Sequence, residues 1–423
     1  MGLLIFGLVI IFILCGLPLF AAIGIIGILE FAISGIDPTV VIVELYRIAS
    51  APTLLAIPLF TLAGYVLAES RAPRRLLNLA EAVLGWIPGG LAIGALGTCA
   101  LFTCFTGASG ITIVALGGLI LPILLKNNYS EKFSMGLVTS SGSLGLLFPP
   151  SLPLILYGII ASVSIDKLFM AGLIPGTILI LILSIYAIRK DVLKKEERTR
   201  FSWTRSWSAL KSAIWELPIP VVVLGGIYGG FITAVEASAV TAFYVLVAEF
   251  FINRDLSLRR DLVRIMRDSV QLIGGILIIL SCSMGATAYL IDAEIPQKAL
   301  LWIQQIITSK ITFLLVLNLF LLITGALLDI FSAIIIVVPL IIPIALSYGI
   351  NPVHLGIIFL TNLEIGYITP PIGLNLFIAS FRFKKSITYL YKVSLPFLFL
   401  MLIALLLITY IPQLSLFLVG LMQ

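Results

Sequence analysis

Long apolar runs separated by short polar turns fill almost the whole chain, and most have the roughly 20 residues a helix needs to cross about 30 Å of hydrocarbon. Spans are predicted near 2–15, 17–35, 52–70, 132–163, 168–189, 214–231, 233–252, 268–290, 353–380 and 394–419. The first is short, and its partition around Gly16-Leu17-Pro18 stays open. Two further apolar stretches, 88–125 and 311–346, are interrupted near the middle by FTGASG (105–110) and GALLDIFSA (325–333). The segments 72–87 and 293–309 alternate apolar and polar faces at helical spacing, so each is expected to lie in the membrane interface.

The punctuation repeats. A shift of 221 residues places Thr103 on Thr324, Pro122 on Pro343, Gly145 on Gly366 and Pro149-Pro150 on Pro370-Pro371. The chain then divides into a first repeat at 1–188, a polar linker at 189–213 and a second repeat at 214–423. If 88–125 and 311–346 are re-entrant hairpins, each half makes an odd number of crossings and the second half is inverted. Inverted repeats with matching broken helices, here 132–163 and 353–380, mark secondary transporters. The reason is physical: a broken helix frees N–H and C=O groups that lipid cannot satisfy, so protein, water, ions or substrate must. The other reading makes each interrupted stretch two ordinary spans. Half-helices of about 15 residues would reach only some 22 Å, which favours hairpins.

Composition agrees with the pattern. Hydrophobic residues are 61% and charged residues 11%, where soluble domains average about 45–50% and 25%; mean hydropathy is +1.20. The fold class expected is an all-α polytopic membrane protein of about ten spans plus two re-entrant hairpins. With the N-terminus outside, 71–75, 126–132, 189–211, 253–267 and 381–392 face the cytoplasm and hold 22 of the 26 Lys and Arg residues. Basic residues resist translocation, so both termini are expected outside. The net charge of +6 is thus topological and not a nucleic-acid footprint. The apolar N-terminus lacks a basic leader segment and reads as a retained span.

Candidate chemistry is sparse. Cys15, Cys99, Cys104 and Cys282 lie in apolar runs without CxxC spacing, which excludes a disulfide framework or a thiolate metal site. The sole histidine, His354, leaves little room for histidine-based catalysis. GASG (107–110) resembles a rhomboid-type protease nucleophile motif, but such a serine needs a histidine in reach, and His354 opens a span on the opposite side. No enzyme activity is expected. Asp329 and Glu364 are the carboxylates placed deepest in apolar sequence, with Glu236 nearer an edge. A charge there costs about 2.5–3.5 kcal/mol and marks a functional candidate. No Lys or Arg lies equally deep. An anionic substrate would have to be met by hairpin N–H groups, hydroxyls and bound cations, which favours sodium coupling. A proton on Asp329 or Glu364 is the alternative.

At these motifs the chain resembles the large membrane subunit of the tripartite ATP-independent periplasmic transporters. The likeness runs through SLGLLFPPSLPLILYG (143–158), LFMAGLIPG (168–176), GIYGGFITAVEASAV (226–240) and GINPVHLGIIFLTNLEIGYITPPIGLNLFIAS (349–380). It implies a scaffold and an elevator-type transport domain in the bacterial cytoplasmic membrane. It also implies sodium coupling, a separate small four-span membrane subunit and a periplasmic binding protein that delivers an organic acid such as a C4-dicarboxylate or sugar acid. Carried over to this chain, the site residues are Ser109, Ser141, Ser143 and Gly145 from the first half, with Asp329, Asn362, Gly366 and Thr369 from the second. Sodium ligands are expected among Ser109, Asp329, Asn362 and Thr369. The chain departs from the pattern at the first tip, where Gly110-Ile111-Thr112 follows Ser109 and many relatives have more serine. A stand-alone sodium–dicarboxylate or citrate symporter, needing no binding protein, is the competing transport reading.

Overall fold

The computed structural model describes residues 16–37, 39–192 and 201–421, so the span expected at 2–15 and the middle of the linker lie outside the described residues. Among the described residues every regular element is helical. Helices α1 (Leu19–Ile33) and α2 (Thr39–Ala49) lead through a 3-10 turn (Pro52–Leu55) into α3 (Ala56–Glu69) and α4 (Ala72–Leu84). A first hairpin follows, made of α5 (Gly90–Thr106), α6 (Ser109–Ala115) and α7 (Gly117–Lys126). The first broken span is α8 (Glu131–Ser141), a 3-10 turn (Leu144–Leu147) and α9 (Leu152–Ala161); α10 (Ile165–Val192) closes the half.

The linker carries α11 (Trp203–Ser212). Then come α12 (Pro218–Tyr228), α13 (Ala234–Val247) with a π turn (Ala248–Ile252), α14 (Asp261–Asp292) and α15 (Ile295–Ile306). The second hairpin is α16 (Lys310–Leu327) and α17 (Ile330–Ser347). The second broken span is α18 (Pro352–Gly366) and α19 (Leu374–Phe383), followed by α20 (Ile387–Tyr410) and α21 (Gln413–Gly420). Seven of these stretches are long and apolar enough to cross a membrane, or nine when two bent pairs are each taken as one span.

Intrinsic propensity does not explain such helices. α17 reads IFSAIIIVVPLIIPIALS, rich in β-branched residues and holding Pro339 and Pro343. In apolar surroundings the decisive term is backbone satisfaction: each N–H and C=O must be paired inside the segment, and helix does that best. The 221-residue shift reappears in these bounds. α5 falls on α16, the α6–α7 pair on α17, α8 on α18 and α9 on α19. Caps match too: Ser130 accepts from the Phe133 amide, and Asn351, at the same offset, accepts from the Val353 amide. Pro175 inside α10 corresponds to Pro396 inside α20.

Three features depart from the predicted spans. α2 and α11 are helices in segments outside the predicted spans, α11 within the polar linker. The run 394–419 is two helices, because Pro412 has no N–H to continue the first. The outgoing arm of the first hairpin bends by 46° between α6 and α7, at Gly117-Gly118, where a glycine pair weakens the helix. Its counterpart α17 is one helix.

Packing sorts the helices into two groups. In one, α1 and α2 lie against α14, while α3 packs on α13 and α14. In the other, α8 lies along α20, α16 along α18 and α9 along α17. α3 against α5 and α14 against α17 are the main crossings between them. At the α3–α5 crossing a side chain on Gly64 would overlap the Phe105 carbonyl, so glycine sets the spacing.

α4 is pinned by charge. Arg75 donates to Glu216 (2.6 Å), to both oxygens of Glu249 (2.9 and 3.0 Å) and to Asp255. The Arg75 side chain is 14% exposed, and those of Glu216 and Glu249 are 2% and 1%. Burial works against the guanidinium charge, but the hydrogen bonds to Asp255 and Glu216 outweigh it and hold the group well above its ordinary pKa.

Candidate functional site

Both hairpins close their incoming helix with an equivalent hydrogen bond, although the turn backbone is left-handed at Gly107 and extended at Leu328. In the first, Gly107 adopts the left-handed conformation (φ +62°) and its N–H closes on the Thr103 carbonyl at 2.8 Å. In the second, the Leu328 N–H closes on the Thr324 carbonyl at 2.8 Å, 221 residues on. Each turn feeds a new helix. Ser109 begins α6, and Asp329 caps α17: its Oδ1 accepts from the Phe331 (3.0 Å) and Ser332 (3.1 Å) amides, and its Oδ2 from the Ser332 hydroxyl. The carboxylate therefore meets the exposed donors of a helix start, where the helix dipole favours negative charge. The Ile330 N–H, one residue on, donates to Tyr367 Oη at 2.7 Å, which ties the second tip to the second break.

The two tips face one cavity of about 610 Å³. Its polar positions are Ser109, Asp329, Tyr367, Tyr65 and Glu69, and among the described residues no Lys or Arg lines it. Apolar wall comes from Ile111, Phe331 and Ile378, and from Leu272 of α14. The cavity thus touches both packing groups.

Behind the cavity the breaks meet each other. Ser143 Oγ donates to the Glu364 carbonyl at 3.3 Å, and these two residues are themselves 221 apart. Thr103 Oγ1 donates to the Gly142 carbonyl (2.9 Å) and lies 2.7 Å from Thr112 Oγ1, tying both arms of the first hairpin to the first break. Gly145 packs against the backbone of Ala100 and Cys104, as Gly366 packs against Gly325. A Cβ at either glycine would overlap backbone atoms, so hairpin and break approach as closely as main chains allow.

The eight site residues predicted from sequence fall into four environments. Ser109 and Asp329 share the cavity. Ser141, Ser143 and Asn362 are fully buried behind it. Ser141 Oγ donates to the Val138 carbonyl (3.3 Å), while Asn362 Nδ2 donates to Asn318 Oδ1 and the Ile358 carbonyl, both at 2.8 Å. Asn362 Oδ1 is buried with no protein partner. Thr369 is half-buried and donates to the Ile365 carbonyl at 2.8 Å. Gly145 and Gly366 are close-approach positions without ligand atoms of their own beyond the backbone.

A family model for the tripartite ATP-independent periplasmic transporter DctM component matches residues 6–414. The chain belongs to this family. It is 37% identical to the C4-dicarboxylate TRAP transporter large permease protein DctM of Pseudomonas aeruginosa, over 88% of either chain. It is 34% identical to the protein of that name from Rhodobacter capsulatus, over 100% of this chain and 99% of that one. Against the isethionate TRAP transporter permease protein DctMQ of Oleidesulfovibrio alaskensis the identity is 36%, across 98% of this chain but only 66% of that longer one. A solved Alcanivorax borkumensis YdaH transporter shares the fold at TM-score 0.63 and 14% identity, over 88% of this chain and 87% of that one.

This DctM-family chain is a permease component and not a peptidase. In keeping with that, His354 is engaged elsewhere: its Nδ1 lies 3.2 Å from Ser415 Oγ and its Nε2 3.2 Å from the Thr409 carbonyl. Four polar residues escaped the sequence reading: Tyr367, Tyr65 and Glu69 line the cavity, and Asn318 is buried against Asn362. Asn375, inside the second break, is buried and donates to the Thr139 carbonyl at 3.3 Å. Tyr367 had a signal, since it follows Gly366 in the second break. Tyr65 and Asn318 had none, because each sits in an otherwise apolar helix that only packing brings to the site.

Proposed function

We propose that this chain is the large permease of a sodium-coupled importer of an organic acid, most simply a C4-dicarboxylate. A periplasmic binding protein hands over the acid, and a separate small membrane subunit accompanies the chain. The observation that carries the reading is the shared cavity of about 610 Å³, onto which both hairpin tips project. It is of the size that holds small ligands. With no cation among its lining residues, the acid's negative charge falls to tip N–H groups, the Ser109 and Tyr367 hydroxyls and co-bound sodium. Ser109, Asp329, Asn362 and Thr369 are the sodium ligands in this reading. The unpartnered Asn362 Oδ1 suits a hard cation that takes neutral oxygens. Ser141 and Ser143 brace the breaks, and Gly145 and Gly366 let the hairpins close on them.

In this reading the two halves are inverted repeats and both termini lie on the outer face of the bacterial inner membrane. The group containing both hairpins slides as one body against the α1–α3 and α12–α14 scaffold. Glu69 and Ala68 wall the cavity next to the basic segment 71–75, which supports reading this conformation as inward-facing in the proposed orientation. Sodium and acid drive the cycle only by binding the two end states unequally.

The test is uptake into proteoliposomes holding this chain and its small partner, with labelled acids, with and without a sodium gradient and the binding protein. Uptake requiring both is expected. Uptake with sodium alone would replace the tripartite scheme by a stand-alone symporter. Asp329→Asn is expected to raise the half-saturating sodium concentration about tenfold, the scale of roughly 1.4 kcal/mol of lost interaction. An unchanged sodium curve would remove Asp329 from the ion site.

A further inference from the structure

A second cavity, of about 460 Å³, shares no lining residue with the first and lies between α8, α10 and α20. Three lysines line it: Lys132 in the first turn of α8, Lys190 near the end of α10 and Lys392 early in α20. Among the described residues no carboxylate lines it. The nearby Glu131 is taken by Lys385. Two helix starts, capped by Ser130 and Ser386, add partial positive charge at the same end.

The floor is aromatic and rigid. Phe133, Tyr186 and Phe397 pack on one another with ring centroids 5.3 to 5.8 Å apart, one pair edge-on. Lys190 Nζ lies 5.5 Å from the Tyr186 ring centroid. Tyr389, Val393 and Pro396 complete the wall. Three cations over an apolar floor, at the ends of membrane-length helices, make an amphipathic receptor: anion at the rim, hydrocarbon beneath.

We propose that this cavity binds the phosphate headgroup of an anionic phospholipid, with the three lysines on the phosphate and the aromatic floor against the glycerol and upper acyl carbons. Basic pockets between spans take such headgroups. A free phosphate ion is also anionic but has no use for the apolar floor, which favours the lipid. The choice of leaflet, the cytoplasmic one, rests on the orientation proposed above; the anion chemistry does not. All three helices belong to the packing group with the hairpins, so the lipid would travel with that group.

The test uses the full chain in detergent, where membrane side plays no part. Thermal unfolding is followed while phosphatidylglycerol, phosphatidylcholine or inorganic phosphate is added. Phosphatidylglycerol is expected to raise the unfolding temperature saturably, with phosphatidylcholine and phosphate having little effect. Each lysine-to-glutamine change (Lys132→Gln, Lys190→Gln, Lys392→Gln) is expected to weaken the phosphatidylglycerol response about fivefold, and the triple change roughly a hundredfold. The control Lys126→Gln leaves it intact. If the triple variant fails to fold, the single variants and native mass spectrometry of bound lipid give the same comparison. Equal stabilisation by phosphatidylcholine, or an unchanged response after lysine removal, would overturn the site. Stabilisation by phosphate alone, lost with the lysines, would overturn the lipid as its occupant.

Discussion

Gly366 shows how one residue serves the site without supplying a side chain. Its Cα lies against the Gly325 backbone, so Gly366→Ala forces the second hairpin away from its break. The expected cost is about 1–3 kcal/mol, read as a lower unfolding temperature, together with loss of uptake. Gly97→Ala, in α5 with open space around it, is the control; it should be neutral or stabilising by up to about 1 kcal/mol, since alanine is the better helix former. Equal effects at both positions would refute the close-approach role. Punctuation made Gly366 visible in the sequence, and Gly325 opens the interruption GALLDIFSA, but only packing sets one on the other. Glu364 was visible as a carboxylate in apolar sequence. Its full burial is a property of the junction between two breaks 221 residues apart.

Among the elements, α4 is the one whose placement depends most on charge. Its amphipathic spacing was legible over 72–87, yet nothing in that spacing says that Arg75 reaches three carboxylates in distant segments. Arg75→Ala strands Glu216 and Glu249 as buried acids without their cation. Breaking a buried pair in this way costs about 3–5 kcal/mol, which unfolding in detergent would register. Arg75→Lys should recover only part, because one ammonium cannot match the fork that meets Glu216, Glu249 and Asp255 together. A variant as stable as the parent would show that α4 is held by packing alone. α11 illustrates the opposite case. The basic residues of 189–213 suggested a solvated loop, but Trp203 and Trp207 stack and stay exposed on a regular helix. Its Ser206 hydroxyl donates to the Ala82 carbonyl of α4 at 3.0 Å, so tertiary contact fixes its place.

For the whole molecule, the inward-facing reading makes a claim about access. Val114 lines the cavity and is 47% exposed. In the proposed orientation, Val114→Cys should react with a membrane-impermeant maleimide in inside-out vesicles and resist it in right-side-out ones. Cys99 and Cys104 are buried, so background labelling is limited once Cys15 and Cys282 are replaced by alanine. Labelling from the outer face alone would reverse the orientation or the state. In the proposed mechanism, the crossings at α3–α5 and α14–α17 are where one packing group would move against the other.

Hydropathy and the spacing of glycine and proline were enough to establish a helical membrane protein, its two interrupted stretches and the 221-residue correspondence. These follow from local rules: apolar length demands a span, and a break in a span must be satisfied by something polar. Charge asymmetry supplied the expected sidedness. The shared cavity, the meeting of Ser143 with Glu364, the roles of Tyr367 and Asn318, and the three-lysine pocket came only from the tertiary arrangement. Each joins residues from segments far apart in the chain, and contact between distant segments is set by packing complementarity that no local pattern encodes.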